Sequence, residues 1–105
     1  MSLNDIFNEY ITVNSEYVKF VNYIINKNFE GYEEEEIMNI LTESKQKFER
    51  LMEETNKVEI EEENGIFLKD VKYSVMDGLF LAIDLYNFYY SKQLERFKTV
   101  SYTHL

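Results

Sequence analysis

The sequence predicts an all-α protein of three long antiparallel helices, up-down-up, forming the front of an incomplete helical bundle. Three observations carry this reading. Apolar residues recur at alternating four- and three-residue steps over most of the chain, which is the period of a helix face. The 105 residues include no proline, so nothing interrupts a long helix. Apolar residues make up 45% of the chain and aromatic residues 16%, enough for a core and too much for a wholly disordered chain.

The first helix is expected over residues 3–29. Leu3, Phe7, Tyr10, Asn14, Tyr17, Val21, Ile24 and Asn28 form its stripe, flanked by Ile6, Ile11, Val13, Val18, Phe20 and Ile25. So wide a face suits a helix that touches two neighbours. Gly31 is expected to end it, because glycine accepts the left-handed cap conformation. Asn14 and Asn28 lie on the stripe, where a buried amide would fix register and a rim position would not.

The second helix is expected over residues 33–57, with Ile37, Leu41, Ser44, Phe48, Leu51, Thr55 and Val58 on one face. The remaining faces are mostly charged, as on a one-sided surface helix. Glu43–Lys47 and Glu53–Lys57 have the favourable order for pairs four residues apart, each worth about 0.2–0.5 kcal/mol. Residues 58–65 connect this helix to the next, and Asn64-Gly65 is a turn signal. Two readings of the connection stand: a loop in which Asn64 caps the third helix, or a short β-hairpin pairing 57–61 with 66–69.

The third helix is expected over residues 66–98. Its middle, from Val75 to Tyr90, is apolar almost all round, as in a helix central to its assembly. Lys92, Arg96 and Lys98 would then lie in its last turns, where cations suit the helix dipole. Gly78 costs a helix interior about 1 kcal/mol against alanine, so two readings stand: a neighbouring backbone packs close there, or Asp77-Gly78 breaks the helix. The three spans imply helices of about 40, 37 and 50 Å. The expected core is Phe7, Tyr10, Tyr17, Val21, Ile24, Leu41, Phe48, Leu51, Val75, Leu79, Ala82 and Tyr86.

Residues 1–98 are expected to form the helical domain. Thr99-Val100-Ser101-Tyr102-Thr103-His104-Leu105 can be encoded by the transposon mosaic-end sequence used to build sequencing libraries. The expectation is therefore a non-native tail over 99–105 that packs on nothing, with native sequence continuing past Lys98. The only histidine, His104, falls in that tail.

Charge and composition narrow the function. Net charge is −9, with 20 acidic and 11 basic residues. Residues 29–64 hold 13 acids and 4 bases, so the middle segment accounts for the excess. This balance argues against general binding to nucleic acid or to an anionic membrane. The absence of cysteine removes thiolate metal sites and cysteine nucleophiles. No glycine-rich phosphate loop or serine–histidine–acid set can be assembled, and no Glu-x-x-His motif occurs. No enzyme activity, metal or cofactor is expected.

Two clusters are candidate contact sites. Glu33, Glu34, Glu35 and Glu36 open the second helix; the dipole explains one or two of them, and a docking patch for a basic partner would explain the run. Phe80, Leu81, Phe88 and Tyr90 lie near Asp77 and Asp84 on a helix that two neighbours can cover only in part. Asp70, Asp77 and Asp84, spaced by sevens, form either a solvent-facing stripe or a carboxylate line for a cation or a basic partner. The leading expectation is a cytoplasmic, non-catalytic helical protein–protein interaction module, an adaptor or assembly subunit with a protein partner or a second copy. The alternatives are an acidic mimic of nucleic acid, or the N-terminal fragment of a larger protein.

Overall fold

The computed structural model describes residues 1–59 and 64–104. Among these the protein is helical throughout, with no strands and four helices rather than three: α1 (Leu3–Asn26), α2 (Glu34–Lys57), α3 (Gly65–Tyr90) and α4 (Leu94–His104). Residues 66–69 belong to α3, so the second arm of the hairpin alternative is helical; Ile60 and Glu61 of its first arm lie outside the described residues. Asn64 occupies the N-cap position of α3, and its carbonyl accepts from the Leu68 N–H at 2.8 Å.

Local chemistry starts and stops these helices. Ser2 and Asp5 form a reciprocal capping box at the head of α1: the Ser2 Oγ accepts from the Asp5 N–H at 3.1 Å, and Asp5 accepts from the Ser2 N–H at 3.4 Å. The end of α1 corrects the expectation for Gly31, whose φ is not positive. Asn28 takes the left-handed conformation at φ 52°, and Phe29 follows at φ 63°. The Phe29 N–H reaches the Ile24 carbonyl at 2.7 Å and the Asn28 N–H reaches the Ile25 carbonyl at 3.0 Å, the paired bonds of a Schellman ending. Asn28 is thus exposed beyond the helix rather than part of its stripe.

The expected third helix breaks by the same device. The Gln93 N–H reaches the Phe88 carbonyl at 2.7 Å and the Lys92 N–H reaches the Tyr89 carbonyl at 3.0 Å, with Lys92 at φ 61°. Lys92 is therefore a turn residue, and Arg96 and Lys98 lie in the first half of α4 rather than at the end of α3. Lysine is strained in a conformation that glycine adopts freely. Lys92→Gly is accordingly expected to raise stability by about 0.5–1 kcal/mol, read from the urea midpoint. A loss of stability would show that this turn is not held left-handed.

The break brings α4 back onto α3. Phe97 is fully buried, its ring 5.3 Å from Phe29 and 6.3 Å from Tyr89. Lys98 Nζ donates to Asn28 Oδ1 at 3.1 Å. The expectation that residues 99–105 pack on nothing is not met. Val100 rests against the core, and Ser101 is buried, its hydroxyl donating to the Phe97 carbonyl at 2.7 Å.

The core follows the predicted stripes. Tyr17, Val21, Ile24, Leu41, Phe48, Leu51, Val75 and Ala82 are buried, while Phe7, Tyr10, Leu79 and Tyr86 are half-buried against them. α3 touches each of the other three helices, and most extensively α2. Gly78 continues the helix, as expected of a close-packed glycine. What approaches it is a ring rather than a backbone: a Cβ at 78 would lie 2.6 Å from Phe48 Cε1. On the surface, Arg50 pairs with Glu9, and Lys57 reaches Glu54 at 3.5 Å rather than the predicted Glu53.

Among the described residues one buried side-chain group is unsatisfied: Tyr17 is 2% exposed and its hydroxyl has no hydrogen-bond partner among them. Burial pushes its phenol well above the ordinary value of 10.0. The folded chain then holds this proton after the unfolded chain has released it, so stability is complete below pH 10 and falls as pH rises above it. The slope is about 1.4 kcal/mol per pH unit for such a group. Tyr17→Phe is expected to stabilise the protein by about 1 kcal/mol at neutral pH and to flatten the alkaline loss. An equally steep alkaline limb in the variant would assign that limb to other groups.

Candidate functional site

A groove of about 540 Å³ runs between α1 and α3. Tyr10, Asn14 and Val18, one turn apart along α1, form one wall. Asp77, Gly78, Phe80, Leu81 and Asp84 form the other. Gly78 contributes backbone to this wall, and the space its side chain would take is filled from the core side by the Phe48 ring of α2. Phe80 is 56% exposed and lies between the two aspartates in sequence. Asp77 and Asp84 are exposed, and neither has a Lys or Arg ion-pair partner among the described residues. The Tyr10 phenol is raised above its ordinary value, first by burial and then by the Asp77 carboxylate. The groove therefore mixes aromatic and aliphatic side chains with the Asn14 amide, the Tyr10 phenol and two carboxylates.

The predicted apolar patch is divided. Phe80 stands at the groove, Leu81 is 9% exposed and belongs to the core, and Phe88 is half-buried against it. Tyr90 is 71% exposed but stacks on Tyr86, at 6.2 Å between ring centres and 6° between planes. Lys45 of α2 sits 4.5 Å above the Tyr86 ring, so this second aromatic site belongs to the α2–α3 side. The four residues thus do not form one surface.

Glu33 is the N-cap residue of α2, and Glu34, Glu35 and Glu36 fill its first turn. All four are exposed, and none lines the groove. Their place at the positive end of the dipole is favourable. The field of Glu34 extends to the last turn of α3, where the Tyr89 phenol is raised first by burial and then by this carboxylate.

Sequence reading missed the α1 wall. Tyr10 was expected in the core and is half-exposed at the groove, and Val18 was read as a flank of the stripe. The half-buried Asn14 was the available signal, since an amide on an apolar stripe marks a rim. A second cavity of about 100 Å³ between α1 and α2 is bordered by Glu16, Glu43 and Lys47, charges of both signs. Among the described residues no three His, Cys, Asp or Glu side chains converge to hold a metal ion, and no helix is long and apolar enough to cross a membrane. Compared with models of known protein families, with curated proteins and with solved structures, the chain matches none.

Proposed function

We propose that the chain is a cytoplasmic, non-catalytic helical interaction module, an adaptor or assembly subunit whose contact face is the α1–α3 groove. The observation that carries this is Phe80, more than half exposed on the groove wall between two aspartates. An exposed aromatic on the wall of an open groove is a common mark of a protein contact surface. The proposal includes the up-down-up arrangement of the first three helices. Phe7 of α1 meets Phe67 of α3 near the start of both, Glu9 of α1 pairs with Arg50 late in α2, and Phe20 of α1 meets Tyr32 just before α2.

The test is the protein's mass in solution against concentration, together with binding of a hydrophobic dye, before and after Phe80→Ser. Dye binding or association that Phe80→Ser removes is the expected result. A monomer that binds no dye, with Phe80→Ser indistinguishable from the parent, would overturn the reading.

A further inference from the structure

Resting on the reading of the groove as a contact face, we infer that its occupant is an amphipathic helix of another protein, with Lys or Arg residues seven apart beside its apolar stripe. Asp77 and Asp84 are seven residues apart on one face of α3, about 10 Å along the axis. A helix laid along the groove repeats its side chains at the same interval, so two cations seven apart meet both carboxylates at once. Between them, Phe80 offers an exposed ring to an aliphatic or aromatic side chain, with Val18 on the facing wall. Asn14 supplies a donor and an acceptor on the α1 side. This is helix-in-groove recognition, in which apolar anchors give affinity and rim charges give orientation.

Charge decides against the other occupants. A second copy of this chain carries the same net charge of −9, and a face-to-face pairing of identical grooves would bring four carboxylates together. Nucleic acid and anionic lipid would meet the same repulsion. Among the described residues no Lys or Arg lines the groove, so its carboxylates are left for a partner to satisfy.

The probe is an 18-residue synthetic peptide with a helical apolar stripe and lysines at two positions seven apart, labelled for fluorescence anisotropy and titrated with the full chain. Two controls carry glutamates at those positions or the same residues in scrambled order. The lysine peptide is expected to bind and both controls to fail. D77N and D84N together should weaken binding about three- to tenfold at low salt, and the difference should shrink as salt screens the rim. Phe80→Ser should remove binding while circular dichroism shows the helices intact. Equal binding of lysine and glutamate peptides would overturn the inferred chemistry and leave the contact face standing. No peptide binding with a concentration-dependent dimer lost in Phe80→Ser would assign the groove to a second copy, which overturns the inference but not the interaction reading. No binding and no association would overturn both.

Discussion

Phe48→Ala is expected to cost about 3–5 kcal/mol, the loss that follows when a closed site loses a large ring. Phe48 is fully buried on the inner face of α2. Its ring lies 5.8 Å from Tyr17 and 6.3 Å from Tyr10, both on α1, and it presses on Gly78 of α3. One side chain thus joins three helices, and neighbours on separate helices cannot all close on the space it leaves. A domain of this size has about 5–15 kcal/mol of stability, so the variant should lie near the edge of folding. Urea unfolding would show a large fall in the midpoint at an unchanged slope. A loss under about 1 kcal/mol would mean that α2 does not bury this face. The pairing with Gly78 gives the same prediction a second arm. In the parent, Gly78→Ala must displace a buried ring, which outweighs the propensity gain of about 1 kcal/mol. In the Phe48→Ala background the ring is gone, so the same change should stabilise. Additive effects would show that the two sites are not in contact.

The faces of α1, α2 and α3 were legible because their signal is periodic: a side chain's angle around a helix follows from its number. That is why Phe48, Leu41, Val21 and Ala82 are buried as expected. The ends of α1 and α3 were less legible, because the left-handed residue in each is not glycine. Asn28 was read as a stripe residue although asparagine tolerates that conformation, and Lys92 gives no local signal at all. Missing that turn carried the third helix through residues that belong to α4. It also hid the burial of Phe97, which rests on contacts with Phe29 and Tyr89 that the turn creates. The candidate patch is exposed only in part, at Phe80 and Tyr90, for a related reason. Angle on the α3 wheel puts Phe80, Leu81, Phe88 and Tyr90 away from the main core direction to different degrees, but the neighbouring helix decides which stay open. Leu81 is covered at 9% exposure while Phe80 remains open at 56%. The groove itself is a property of the spacing between α1 and α3, and Asn14, an amide on an apolar stripe, was the residue that hinted at its rim.

Phe97→Ala is expected to release α4 before it unfolds the rest. An 11-residue helix is marginal on its own, so α4 is held by what it docks against. Its largest anchor is the fully buried Phe97 ring against Phe29 and Tyr89. The Lys98–Asn28 hydrogen bond and the Lys98–Glu95 pair are exposed and add little. Removing the ring would cost about 3–5 kcal/mol if α4 had to stay in place. The chain has a cheaper route: α4 can undock, and the loss is then capped at the free energy that docked it. The global unfolding free energy should fall by about 2–3 kcal/mol, the part of that cost that undocking does not avoid. Amide hydrogen exchange separates the two routes. Protection over residues 94–104 should drop nearly to the unfolded level, while α1, α2 and the first half of α3 keep most of theirs. A uniform fall in all four helices would mean that α4 is part of one cooperative unit. Unchanged protection over 94–104 would mean that the Phe97 ring does not hold α4 on the bundle.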